Sequence, residues 1–159
     1  MNNKALILDP CCGSKMMWFD KKDKRAIFGD IRSESHTLCD GRNLEIKPDD
    51  LIDFRKLPYS AETFNLIAFD PPHLKTAGET GWIGKKYGIL SDDWQQDLRQ
   101  GFTECFRVLK TGGTLIFKWN EIQIKTTDIL KLTPIKPLFG HASGKRSNTH
   151  WIVFTKEAA

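Results

Sequence analysis

"LIAFDPPHL", residues 66–74, runs from an apolar segment into an acid, two prolines and a ring. Neither proline offers an N–H to a β-ladder, so a strand arriving along residues 64–69 ends at Asp70 and leaves as a stiff turn. The segment is short and apolar up to the acid, the pattern of a strand buried in a parallel sheet. Upstream runs repeat it: "ALILD" (5–9) closes on Asp9, "AIFGDI" (26–31) on Asp30 and "LIDF" (51–54) on Asp53.

Downstream, "LSDDWQQDLRQGFTECFRVLK" (90–110) places apolar residues at 94, 98, 102, 105, 106 and 109. That spacing predicts a helix, with Ser91 as N-cap and the "TGG" at 111–113 as its glycine stop. "TLIFKW" (114–119) reads as a fifth strand and "EIQIKTTDILKL" (121–132) as a second helix. "PIKPLFGH" and "THWIVFTK" follow as two strands around a basic turn. Residues 33–50 are polar and turn-rich, with room for a small strand or helix at most, and 75–88 reads as a loop. Strand–helix alternation with a final strand pair predicts an α/β fold. The expected architecture is one doubly wound, Rossmann-like domain over residues 1–159, a mostly parallel seven-stranded sheet closed by an antiparallel C-terminal hairpin.

Composition narrows the class. Of 159 residues, 40% are hydrophobic and 28% charged, as in an ordinary globular domain. No apolar run reaches membrane-spanning length, and "MNNKALILDP" lacks the build of a signal peptide, which predicts a cytoplasmic protein. Cys11, Cys12, Cys39 and Cys105 show no paired spacing and are expected to be reduced. No metal site is expected, because adjacent cysteines rarely share one ion and no second C-x-x-C exists. A net charge of +4 permits a polyanionic partner without demanding one.

Ligands of open parallel sheets sit beyond the carboxyl ends of the strands. A single acid there is usually a cap or a solvated turn, but four in order around a glycine turn point to a ligand site. Asp30 follows Asp9 at about the interval where nucleotide-binding folds keep a ribose-binding acid. "DPCCGSKMM" holds one glycine, Gly13, and lacks the G-x-G-x-x-G that cradles a pyrophosphate. A nucleoside without phosphates fits better than a dinucleotide.

These motifs resemble the class I S-adenosylmethionine-dependent methyltransferases, in particular those that methylate exocyclic amines. "ILDPCCGS" is similar to their D-P-F-x-G-S turn and "FDPPH" to their D-P-P-Y/F/W motif, and the order of elements along nearly the whole chain agrees. Short phage and prophage methyltransferases show the nearest resemblance. It implies S-adenosylmethionine as cofactor and a nucleic-acid base as acceptor, adenine N6 in DNA before cytosine N4. Asp70 and the Pro71 carbonyl would accept hydrogen bonds from the amine, Pro72 would stiffen the turn, and His73 would stack on a flipped base. Asp9, Pro10, Cys11 and Gly13 would line the methionine end, Asp30 the ribose and Ile31 the adenine face. Asp53 would meet the adenine amino group, with Phe54 beside it.

The chain departs from that pattern in places. His73 stands where tyrosine, phenylalanine or tryptophan is usual, and Lys15 where glycine is usual, its ammonium expected on Asp9 or on the cofactor carboxylate. No separate target-recognition domain is expected, so specificity would come from short loops, from a homodimer or partner subunit, or be low. Lys75, Trp82, Lys85 and Lys86 on one loop, and Lys145 and Arg146 on another, suit phosphate contact and base stacking, or are simply solvated. Trp94, Phe102, Phe106 and Trp119 are expected in the core, and "MMWF" (16–19) as packing beneath the cofactor. An RNA base as acceptor, or a cofactor-binding subunit inactive without a partner, are the alternatives.

Overall fold

Seven strands form one sheet in the computed structural model, which describes residues 6–78, 81–144 and 147–158. In chain order the elements are β1 (Ile7–Asp9), β2 (Ala26–Asp30), β3 (Glu34–Thr37), β4 (Asn43–Ile46), β5 (Asp50–Leu51), β6 (Phe64–Phe69), α1 (Trp82–Tyr87), α2 (Trp94–Val108), β7 (Leu109–Asn120), α3 (Thr126–Leu130), β8 (Phe139–Ala142) and β9 (Thr149–Thr155). The sheet runs β5-β2-β1-β6-β7-β9-β8, while β3 and β4 form a separate antiparallel ribbon. The pairs from β5 to β7 are parallel, and β9 lies antiparallel between β7 and β8. The chain winds outward from β1 to β5, then returns to β6 on the other side of β1. That reversal opens a crevice between the carboxyl ends of β1 and β6.

One face carries the main core. Leu8, Ile67, Phe69, Leu115, Phe117, Ile152 and Phe154 pack there with Leu98, Phe102, Cys105 and Phe106 of α2 and Ile129 of α3. The ring centroids of Phe69 and Phe102 are 5.6 Å apart, and those of Phe102 and Phe117 5.0 Å. The opposite face is covered differently. After β1 the chain makes turns rather than a helix, and Trp18 from those turns packs edge-on to Phe28 at 4.8 Å, with Ala26, Ile7 and Cys12 nearby. After β2 the crossover holds the β3–β4 ribbon. The alternation of strand and helix therefore holds from β6 onward, and turns and a ribbon replace the two earlier helices.

Several boundaries differ from expectation. α2 starts at Trp94 after Asp93, and Ser91 does not cap it; the Ser91 hydroxyl instead bonds Asp97 Oδ2 at 2.6 Å. The helix ends at Val108 and passes straight into β7, so "TGG" lies inside the long strand, with Gly112 at φ 78°. β5 is only Asp50–Leu51, leaving Asp53 and Phe54 in the turn beyond it. α3 is shorter than the expected 121–132, and 82–87 is helical rather than loop. "MMWF" is not buried packing as a unit: Met16 is 55% exposed and Phe19 protrudes fully, while Trp18 alone packs inward. Phe102, Phe106 and Trp119 are buried as expected, and Trp94 packs against the core from its edge.

Gly101 lets α2 approach the sheet. A Cβ there would sit 2.7 Å from the Phe54 ring and 2.9 Å from the Phe69 ring. Gly101→Ala would gain up to about 1 kcal/mol of helix propensity but meet an overpacking cost of about 1–3 kcal/mol. The expected result is a lower urea midpoint, and an unchanged or higher midpoint would show that the rings yield.

Candidate active site at the sheet reversal

Asp9 is fully buried at the end of β1, where its Oδ2 accepts Trp18 Nε1 at 2.7 Å and its Oδ1 accepts the Cys11 N–H at 3.2 Å. Burial raises its pKa from an ordinary 3.8 to about 7; the nearby charges of Asp70 and Asp30 push the same way, against the two donors. Asp30 closes β2, accepting Gly13 N–H at 2.9 Å and the Arg32 N–H at 2.9 Å, with Arg32 Nε at 3.3 Å. The turn from Pro10 to Gly13 thus laces the two strand ends together. Lys15 adopts φ 56°, the left-handed region in which glycine is easiest, which accounts for glycine at that place in the resembling motif. Its ammonium does not reach Asp9. It lies over the Phe28 ring at 4.1 Å and 3.6 Å from Asp49.

Asp70 leaves β6 beside these acids. Its Oδ2 accepts Lys118 Nζ at 2.8 Å, and among the described residues Oδ1 accepts no hydrogen bond. Burial pushes the carboxyl up, and the Lys118 charge and hydrogen bond pull it down. Pro71 is buried, while Pro72 and His73 are half-buried. The His73 ring lies 5.4 Å from Tyr87 and 6.3 Å from Trp119. Burial and then Lys118 lower its pKa, which keeps the imidazole neutral. Gln123 holds the following backbone, accepting Lys75 N–H at 2.6 Å and donating to the Thr76 carbonyl at 2.9 Å.

The crevice appears as two small cavities sharing Cys11, Arg32, Asp70 and Tyr87. One, about 90 Å³, opens onto Gly13, Pro71, His73 and Lys118; the other, about 50 Å³, onto Pro10, Asp30, Ile31, Phe54 and Pro72. The fold thus brings Pro10, Cys11, Gly13, Asp30, Ile31, Phe54, Asp70, Pro71, Pro72 and His73 around one crevice, while Asp9, fully buried, lines neither cavity. Ile31 is largely exposed at its rim. Asp53 is turned away, its carboxylate closed on Arg55 at 2.7 and 2.9 Å, with Arg55 also bound to Asp97. That guanidinium holds Asp53 below the ordinary carboxylate range.

Among the loop cations, Lys86 lies over the Trp82 and Tyr87 rings at 5.3 and 5.0 Å. The Lys85 carbonyl accepts from Arg32 at 2.8 Å, tying α1 to the end of β2. Lys75 lies elsewhere, beside Trp94 and Gln123. Lys145 and Arg146 lie outside the described residues. Sequence reasoning missed Trp18, Arg32 and Lys118 as site residues; a lysine inside the apolar run "TLIFKW" was the available signal.

No protein-family model and no curated relative matches the chain. Among solved structures, the chain is similar to the PH0226 protein from Pyrococcus horikoshii OT3. The TM-score is 0.55 at 16% identity, over 95% of this chain and 81% of that one. A second solved structure, a candidate S-adenosylmethionine-dependent methyltransferase from Methanococcus maripaludis, gives a TM-score of 0.40 at 14% identity over 76% of this chain and 57% of that one. The described residues contain no helix long and apolar enough to cross a membrane.

The raised Asp9 pKa has a measurable consequence. Between about pH 4 and pH 7 the folded protein keeps a proton that the unfolded chain has lost, so this group's contribution to stability falls as pH rises through that window. Asp9→Asn removes the dependence. Its urea midpoint relative to the parent is expected to climb across the window and level off above it; a difference flat with pH would show an ordinary Asp9.

Proposed function

We propose that the protein transfers a methyl group from S-adenosylmethionine to an exocyclic amine of a nucleic-acid base, with adenine N6 in DNA as the first acceptor to offer. The observation carrying this reading is the Asp70–His73 turn at the sheet reversal, where Asp70, with one carboxylate oxygen unbonded among the described residues, lines both cavities and Asp30 lines one of them.

The donor set suits the cofactor. Asp70 and Asp30 add to the cost of charging the buried Asp9, and a cationic ligand nearby relieves it. Asp9 and Gly13 would hold the methionine end and Asp30 the ribose diol, while Ile31 and Phe54 offer apolar surface to the base. Cavities of about 90 and 50 Å³ are small for such a ligand, so Arg32 and Tyr87, which stand between them, must swing aside. When bound, the cofactor supplies a methyl group activated by a sulfonium.

An aromatic amine is a weak nucleophile because its lone pair is delocalised into the ring. Asp70 Oδ1 and the Pro71 carbonyl act as acceptors for its two N–H bonds, favouring a pyramidal nitrogen aimed at the methyl. An ionised carboxylate is acceptor-only, which is the form this role needs. Lys118 pulls Asp70 toward that form against its burial. Neutral His73 offers a flat face to the extruded base without adding charge.

Transfer of labelled methyl from S-adenosylmethionine to unmethylated DNA, denatured DNA and RNA tests the reading, with nucleoside digestion naming the base. Asp70→Ala is expected to lower the rate by roughly 100-fold or more while cofactor binding persists. Lys118→Met raises the Asp70 pKa further, so the acid limb of its rate–pH profile should move to higher pH. Cofactor binding without label in any nucleic acid would reject a stand-alone enzyme in favour of a cofactor-binding subunit.

A further inference from the structure

A groove of about 620 Å³ opens beside the crevice, outside the D-P-P-H turn. One wall is the turn after β1, with Lys15, Lys21 and Lys22. The second is the β3–β4 ribbon, with Arg42 and Lys47, and the third is α1, with Trp82 and Lys86. These six cations face a single acid in the lining, Glu45. Lys15 is engaged with Asp49 and Arg42 with Asp40 at 2.6 Å. Among the described residues, no carboxylate lies within 4.0 Å of the Lys21, Lys22, Lys47 or Lys86 ammonium. Met16, Leu38 and Leu44 add apolar surface between them.

The arrangement selects its occupant. Cations spread over three separate elements around one groove suit the successive phosphates of a polymer better than one small anion. Trp82, in the same lining, is 42% exposed and offers a face on which a base can stack. The surface is concave, unlike one that lies on a lipid headgroup layer. The groove also shares Gly13, Ser14, Met16 and Lys86 with the cavity that holds Asp70 and His73, so the two are continuous.

We infer that this groove carries the sugar–phosphate backbone of the nucleic-acid strand whose base enters the crevice, with Trp82 stacking on a neighbouring base. The β3–β4 ribbon would thereby position the strand rather than read its sequence. The inference rests on the nucleic-acid reading above for its occupant, but its test does not depend on catalysis. Thymine has no exocyclic amine, so a fluorescent oligothymidylate reports backbone binding alone.

Lys21→Gln/Lys22→Gln/Lys47→Gln is expected to weaken that binding about tenfold or more at low salt and to flatten the slope of log K against log salt by about 2. Trp82→Ala should weaken binding with the slope unchanged, as loss of a stacking partner does. Lys125→Gln/Lys131→Gln/Lys136→Gln removes equal charge at and after α3, and should leave the slope as it was. Equal effects of the two triple variants, no effect of the groove set, or binding to anionic vesicles in place of the oligonucleotide would each overturn the inference. Loss of oligonucleotide binding in the groove variant, with no methyl transfer by the parent protein, would uphold the groove and reject the transfer reaction. Full-rate transfer by the groove variant would do the reverse.

Discussion

The Asp9 carboxylate sits out of water at the end of β1, and it persists there because Trp18 Nε1 and the Cys11 N–H both point into it. A buried carboxylate stripped of its donors costs several kcal/mol, on the order of what a small domain has to spare. The bond to Trp18 also holds its ring against Phe28, closing the second face of the sheet where a crossover helix is absent. The same turn carries the Gly13 N–H to Asp30. One polar contact therefore supports the satellite core, the spacing of two strand ends and the floor of the crevice.

Charge around the crevice is layered. The acids Asp9, Asp30 and Asp70 lie at the strand ends; Arg32, two residues past β2, answers Asp30, and Lys118 of β7 answers Asp70. Arg32 also reaches the Lys85 carbonyl, so α1 is anchored to the residue that divides the crevice. Movement of Arg32 would thus alter both the room between β1 and β6 and the position of Trp82 and Lys86. The crevice and the basic groove share a mechanical element.

The parallel core strands were legible because burial on both faces leaves uninterrupted apolar runs, and the paired prolines after Asp70 mark where one must stop. The reversal in strand order followed from the same reading. The β3–β4 ribbon was hard to read: β3 is "ESHT" with no apolar residue, and the alternation of β4, with Leu44 and Ile46 buried, spans only four residues. The helix-to-strand junction at Leu109 was misplaced for a different reason. "TGG" is good stop chemistry, but Leu109 is fully buried and already extended, and sheet pairing with Phe64 overrode the local preference. Among site residues, the acids and the D-P-P-H turn could be read from position, since chain ends of strands converge. Trp18 and Arg32 could not, since their roles arise from long-range contacts. Asp53 looked like its fellow acids, yet Arg55, two residues on, claims its carboxylate.

β9 lies between β7 and β8 although it follows both in the chain. During synthesis, β7 must therefore wait with one edge unpaired, its Leu115, Phe117 and Trp119 already made, until residues 149–155 exist. At ordinary translation speeds that interval is on the order of seconds. An apolar strand with a bare edge is a template for pairing with another chain. The nascent protein is thus most exposed to misassociation just before its sheet can close, and a chaperone that shields β7 would act in that window.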